Sequence, residues 1–291
     1  FALRAKGIGP GKTVLCPAIS YLATAEAIKR TGATIQFVDV DENGLMGDIP
    51  MMGLPSAVVY VNLFGNLADY DRLKNYCDKH RIPLIEDAAQ SLGSFYKKIP
   101  SGKLGDISSL SFAPSKPLPC FGNGGMVLTD NESERDFVRG LRYHGSGTAK
   151  LHHGYNSCLS NDHANVLNFL MSKYKKLLSK TKKVRKLYDE KLFKLGIGSI
   201  QTQSDTTSNN HKFVIKAQDR DNLKAYLETK NIQSQVHYAL PLSKMKMFHT
   251  DEQMPNAERF CEDVLSLPIH PFLEDYEVIH VCNCIGEFYG V

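Results

Sequence analysis

Two short stretches hold reactive side chains on backbone that cannot move freely. In Ala113-Pro114-Ser115-Lys116-Pro117-Leu118 a lysine stands between two prolines, past a candidate strand and before the glycine-rich run Cys120-Phe121-Gly122-Asn123-Gly124-Gly125. Proline fixes its own φ, so this lysine is held on constrained backbone rather than on a flexible arm. An amine held in that way suits nucleophilic or proton-transfer chemistry. Read by itself, the segment also suits a solvated lysine, the commoner case. In Pro83-Leu84-Ile85-Glu86-Asp87 an apolar strand ends in two carboxylates and runs into Ala88-Ala89-Gln90-Ser91. Ligands of α/β sheets gather outside the carboxyl ends of strands, which places an acid there well for chemistry. Side chains alternate across a strand, so only one of the two acids can face a given pocket. A helix N-cap with a first-turn acid is the competing reading. The strand Ser108-Ser109-Leu110-Ser111-Phe112 carries hydroxyls on both faces, which is unusual for a strand between helix layers.

The elements that position these segments follow from the apolar pattern. Strands are expected at Thr13–Cys16, Thr34–Val38, Ala57–Val61, Pro83–Ile85, Ser108–Phe112 and Met126–Leu128, with amphipathic helices at Ala23–Thr31 and Asp69–His80 between them. That alternation predicts an α/β domain over residues 1–165. Asn123-Gly124 offers turn chemistry for a tight reversal, since both residues tolerate positive φ. A long helix from about Asp162 to Leu195 then leads to residues 166–291. There His211–Ile215, a helix over Arg220–Lys230, and Gln235–Tyr238 suggest a small α+β unit.

Other classes of function find little support. Gly7-Ile8-Gly9-Pro10-Gly11-Lys12-Thr13 superficially resembles a phosphate-binding loop. It lacks the GxxxxGK[ST] spacing and precedes a strand instead of a helix, so it reads as a tight helix-to-strand turn. The seven cysteines are scattered with no two-residue gap, which predicts free thiols in a reducing compartment and no metal centre. The net charge of +4 is spread along the chain, and the basic run Lys173–Lys186 has the spacing of a solvated helix face, so no nucleic-acid partner is expected. No apolar run approaches the roughly 18 residues needed to cross a bilayer and no leader is evident, so a cytoplasmic protein without membrane contact is expected. Phe1–Ala5 reads as the tail of a helix in a chain that begins without Met, and a lost N-terminal segment is expected.

Taken together, EDAAQS, SFAPSK, FGNGG and GYNS resemble, in kind and order, the nucleotide-sugar aminotransferases of the DegT type. The likeness spans nearly the whole chain through GPGKTVLCPAISYLATAEAI, GATIQFVDVD, DRLKNYCDKHRIPLIEDAAQSLGSFY, NIQSQVHYALPL and VLSLPIHPFL. It implies the aspartate-aminotransferase fold, type I of the pyridoxal-phosphate enzymes. That fold has a large α/β domain with a mixed, mostly parallel sheet flanked by helices, and a smaller C-terminal α+β domain.

By this resemblance Lys116 binds pyridoxal 5'-phosphate covalently and moves the proton, while Asp87 pairs with the ring nitrogen and keeps the ring an electron sink. Glu86 is then its structural neighbour. Gln90 matches a hydrogen-bonding partner of the phenolic oxygen, Ala89 lies against one ring face, and Tyr21 stacks on the other, or is an ordinary core tyrosine. Ser111 matches a phosphate-binding hydroxyl. Asn156 matches a residue that reaches the phosphate of the neighbouring subunit, which makes the protein a homodimer with shared sites. His237 reads equally as a sugar contact or as an interdomain histidine.

The implied activity moves an amino group from an amino acid, glutamate by family expectation, to a nucleotide-linked keto-sugar in amino-sugar and surface-polysaccharide biosynthesis. SKPLPCFGNGG favours members that act at carbon 3 over carbon 4. Four positions depart from the family. The Ser-Gly-Thr phosphate cup would precede Phe1, Asn123 replaces an acid, Cys158 replaces an arginine, and Ser243 replaces a second histidine. Two alternatives stand beside transamination: a sugar dehydratase, which has histidine where this chain has Lys116, and a non-catalytic regulatory or scaffolding homologue.

Overall fold

The computed structural model describes residues 1–49, 53–146 and 153–291. A short helix, α1 (Ala2–Ala5), turns through Gly7 and Gly11, both at positive φ, into the first strand. The apolar runs form β1 (Thr13–Pro17), β2 (Thr34–Val38), β3 (Ala57–Val61), β4 (Leu84–Asp87), β5 (Ile107–Ser111) and β6 (Gly125–Leu128). Among the described residues these build one six-stranded sheet in the order β2-β1-β3-β4-β5-β6. All pairings are parallel except β5 with β6. The sheet is the expected mixed, mostly parallel one. Strand β3, Ala-Val-Val-Tyr-Val, is buried at every position, as an interior parallel strand covered on both faces must be.

Helices cover the sheet: α2 (Ala23–Lys29), α3 (Tyr70–His80) and α4 (Glu132–Arg142). Asp69 caps α3 by accepting from the Arg72 amide at 3.1 Å, and the helix stops where Arg81 takes a left-handed φ of 55°. Asn131 caps α4 in the same way, accepting from the amides of Ser133 and Glu134. The next helix, α5 (Asn161–Lys194), has 34 residues and so runs about 50 Å.

The reversal between β5 and β6 differs from its expected cause. Neither Asn123 nor Gly124 has positive φ, and the strands are joined by the whole loop Phe112–Gly124 instead of a two-residue turn. That loop is held by bonds from the Phe112 amide to the Gly124 carbonyl (2.8 Å) and from the Cys120 amide to the Phe112 carbonyl (2.7 Å). Glycine at 124 answers a lack of space: a Cβ there would lie 3.0 Å from both Cys120 Sγ and Leu159 Cδ1.

After α5, strands β7 (Phe213–Lys216) and β8 (Val264–Leu267) pair antiparallel, with α6 (Arg220–Thr229) and α8 (Asp275–Tyr289) packed near the end of α5. Tyr188 of α5 stacks on Phe213 at 4.6 Å, inside a core that also takes Leu223, Leu227, Val278 and Ile285. Gln235–Tyr238 adds no ladder; its backbone pairs with β8 through one isolated bridge, Gln235–Ser266. The C-terminal segments also enter the core of the large sheet. Phe260, in α7 (Pro255–Asp263), stacks on Phe64 at 6.3 Å, and Phe248 meets Phe37 at 6.4 Å.

One buried acid fixes the end of β4. Glu86 is fully buried and accepts from Asn62 Nδ2 (2.8 Å), Ser101 Oγ (2.6 Å), Ser108 Oγ (2.8 Å) and the amides of Gly102 (2.9 Å) and Leu104 (3.1 Å). Removing the carboxylate strands several buried donors at about 1–3 kcal/mol each. Glu86→Ala is therefore expected to lower the unfolding free energy by at least about 3 kcal/mol in urea titrations; a loss below about 1 kcal/mol would contradict this role.

Candidate active site

A cavity of about 640 Å³ opens at the carboxyl ends of the central strands, where ligands of α/β sheets gather. The alternation that sends Glu86 into the interior turns Asp87, the last residue of β4, toward this cavity. Asp87 Oδ2 accepts from Thr24 Oγ1 at 2.8 Å, and Oδ1 accepts from the Ala89 amide at 3.1 Å. Thr24 lies in the first turn of α2, with its hydroxyl 2.8 Å from Ser20 Oγ. These neutral donors hold the carboxylate in place and leave it without a cationic partner within 4 Å among the described residues. The Asp87–Ala89 bond also sets Ala89 on the cavity wall.

Lys116 enters from the loop after β5, where its amide bonds the Ala113 carbonyl at 2.9 Å. Its Nζ lies 5.8 Å from the centroid of the Tyr21 ring, which is half-exposed at the rim. Burial pulls the lysine pKa below its usual range, and the charge of Asp87 works weakly against that shift. Ser111, at the end of β5, lines the same wall, and its Oγ accepts one long bond from the Ala113 amide at 3.4 Å. The hydroxyl proton remains free for a ligand.

Gln90 is buried. Its side-chain oxygen accepts from the Phe64 amide at 2.8 Å, and its Nε2 donates to Tyr238 Oη at 3.3 Å. One Nε2 proton is left over. His237 places Nδ1 2.9 Å from Ser266 Oγ and sits edge-on to Phe64 at 6.5 Å. Burial first, then the charges of Lys212 and Lys116, lower its pKa to about 4, so the ring is neutral at physiological pH.

Seven of the eight expected residues thus line one cavity: Tyr21, Asp87, Ala89, Gln90, Ser111, Lys116 and His237. Asn156 does not. It is exposed and bridges Tyr143, so within one chain it does not reach the site. Of the departing positions, Asn123 lines the cavity, Cys158 is exposed elsewhere, and Ser243 is fully buried with its Oγ unpartnered. The structure adds residues that the sequence did not single out: Ser20, Thr24, Ser109, His211, Lys212 and Tyr238. Ser20 and Thr24 had a usable signal in their spacing of four around a helix start. Lys212 had none.

The lining can hold the cofactor that the family resemblance implies. An acid without a counter-ion suits a protonated ring nitrogen, a half-buried amine suits an aldehyde, and free donors stand at Gln90 and Ser111. No described helix is long and apolar enough to cross a membrane.

Comparison with known proteins identifies the family. The model of the DegT/DnrJ/EryC1/StrS aminotransferase family matches residues 1–286. The UDP-2-acetamido-2-deoxy-3-oxo-D-glucuronate aminotransferase of Pseudomonas aeruginosa is 31% identical over 97% of this chain and 80% of its own length. The UDP-N-acetyl-3-dehydro-alpha-D-glucosamine 3-aminotransferase of Acidithiobacillus ferrooxidans is 35% identical over 98% of this chain and 79% of its own. The crystal structure of a family aminotransferase from Brucella abortus superposes with a TM-score of 0.92 at 29% identity, covering 100% of this chain and 83% of that one. With its sheet, its cavity and its sequence in agreement, the chain belongs to the DegT/DnrJ/EryC1/StrS aminotransferase family.

Proposed function

We propose that the protein is a pyridoxal-phosphate-dependent transaminase that moves an amino group from an amino acid to a nucleotide-linked keto-sugar. The observation that carries this reading is the meeting, in one cavity, of a half-buried amine with a lowered pKa and an acid held only by neutral donors. When bound, the cofactor supplies an aldehyde that condenses with amines and a cationic ring that withdraws electrons from the reacting carbon.

The chain's own residues supply the rest. Lys116 is the covalent anchor, and burial keeps a larger share of its amine neutral, as a proton carrier requires. Asp87 holds the positive charge at the ring nitrogen, and Thr24 and the Ala89 amide fix its orientation. Ala89 leaves room on one ring face, and Tyr21 covers the other, where stacking contributes on the order of 1 kcal/mol. Gln90 directs its remaining amide proton at the phenolic oxygen, and Ser111 binds the phosphate. His237, being neutral, offers the sugar a hydrogen bond without adding charge.

Glutamate is the donor that the family suggests, and a carbon-3 keto-sugar the acceptor, in keeping with the named activities of relatives from A. ferrooxidans and P. aeruginosa. Biosynthesis of amino sugars for surface polysaccharide in the cytoplasm completes the reading, with residues 1–165 forming the cofactor domain and 166–291 the interdomain helix and small domain. Asn156, out of reach of its own site, serves the partner in a homodimer.

Lys116→Ala is expected to abolish transamination while leaving the thermal midpoint within about 3 °C, since no large apolar volume is lost. Retained turnover in this variant would contradict the assignment. Asp87→Asn keeps the volume but removes the charge, and is expected to lower kcat by at least about a hundredfold. Shared sites predict complementation. Lys116→Ala and Asn156→Ala chains, each inactive alone, should regain about a quarter of wild-type activity when unfolded together and reassembled at equal amounts. No recovery would place Asn156 outside the partner's site.

A further inference from the structure

The cavity carries more positive charge than the assigned roles use. Asp87 is its sole acid among the described lining residues, whereas two lysines, Lys116 and Lys212, stand in the wall beside His211 and His237, which burial keeps neutral. Lys212 is the unexplained member. It is half-buried, and its Nζ has no hydrogen bond or carboxylate within reach among the described residues. It also lines an adjoining cleft of about 220 Å³, which contains no acid among its described residues. A desolvated ammonium without a partner is unfavourable unless a ligand brings the opposite charge.

The backbone at Lys212 is fixed by the same segment that fixes Gln90. Asn209 donates from Nδ2 to the carbonyls of Gln90 and Leu92, both at 2.9 Å, and its Oδ1 accepts from the His211 amide at 2.9 Å. The Lys212 amide bonds the Phe64 carbonyl at 3.3 Å, and the Phe64 amide bonds Gln90 Oε1. Lys212 is therefore placed as a part of the site, not as a surface arm. Burial first, and then the charge of Lys116, lower the pKa of Lys212, and the charge of Lys212 in turn adds to the effect of burial at His237, so the three groups share one neighbourhood.

We infer that Lys212 is the positioning residue that binds the α-carboxylate of the amino-acid donor. The inference rests on the transaminase reading. A donor's amine must arrive where the Lys116 amine stands, and its carboxylate carbon is two bonds from that nitrogen, about 2.5 Å away. The cation that receives it must therefore neighbour Lys116. Lys212 meets that condition. The arginine expected after Gly154-Tyr155-Asn156-Ser157 is Cys158 in this chain, so no guanidinium comes from there. The diphosphate of a nucleotide-sugar stands beyond the sugar ring from the reacting carbon, farther from Lys116 than a donor carboxylate can be. Lys212 thus acts in the half-reaction that uses the amino acid and not in the one that uses the sugar.

The test titrates glutarate, a dicarboxylate without an amine, into pyridoxal-phosphate-loaded protein by calorimetry. Lys212→Met is expected to weaken glutarate binding by about ten- to a hundredfold, and Lys212→Arg by no more than about threefold. In stopped-flow half-reactions, Lys212→Met should raise the glutamate concentration for half-saturation at least about tenfold, while amination of the keto-sugar by the amine-loaded protein stays within about twofold. Unchanged glutarate affinity overturns the inference. So does a defect confined to the nucleotide-sugar or to uptake of the cofactor, which would assign Lys212 to a phosphate. Should Lys212→Met fail to fold, Lys212→Gln carries the same comparison. A wild-type protein that gains no visible absorption from pyridoxal phosphate sinks the transaminase reading itself, whatever glutarate does.

Discussion

The site depends on two adjacent carboxylates that a strand forces apart. Glu86 turns inward, loses all contact with water, and is satisfied by hydroxyl, amide and backbone donors from Asn62, Ser101, Ser108, Gly102 and Leu104. Asp87 turns outward with two neutral donors and no cation within reach among the described residues. A buried acid needs several donors to remain stable, and the outer acid must be left without a cation to be available to a ligand. The loop Ser101–Gly105 wraps so tightly on Glu86 that a Cβ at Gly105 would lie 2.8 Å from the Glu86 amide. The rigid acid thus defines where the reactive one stands.

Around that anchor, the cavity is built to hold positive charge in poor solvation. Burial lowers the pKa of Lys116, Lys212 and His237, and holds that of His211 well below its usual range. The two histidines are neutral as a result, and the poorly solvated ammonium groups of Lys116 and Lys212 are the charges that an anionic ligand would relieve. A cofactor with a phosphate, a donor with carboxylates and an acceptor with a diphosphate are all anions. The charge balance of the cavity therefore matches the reactants of the proposed reaction as a set.

Much of the sheet was legible in the residues. Thr34–Val38 and Ala57–Val61 have the bounds that their β-branched runs suggested, and α3 begins at the cap that Asp69 announced. Strand alternation showed that only one of Glu86 and Asp87 could face the pocket, and the family resemblance pointed to Asp87. Other features depend on contacts that no local pattern reveals. The Phe112–Gly124 loop is held by its bonds to the Phe112 backbone, and Gly124 is there for space beside Cys120 and Leu159, so turn propensity misread it. Gln235–Tyr238 has strand-like residues, but its backbone pairs with β8 at one isolated bridge. His211-Lys212 lies between polar asparagines and an apolar strand, with nothing in its spacing to mark it as cavity wall. The helices α4 and α8 were passed over, although Asn131 and the Glu274–Glu277 box are cap signals that could have found them.

The central claim is that the amine of Lys116, among 25 lysines, is the one that takes the cofactor covalently. Borohydride reduction of the pyridoxal-phosphate-loaded protein, followed by peptide mass mapping, tests it most directly. The account predicts loss of the visible absorption and one pyridoxyl group per chain, carried by the peptide that contains Lys116. A label on Lys212, or one scattered over surface lysines with Lys116 unmodified, would contradict it.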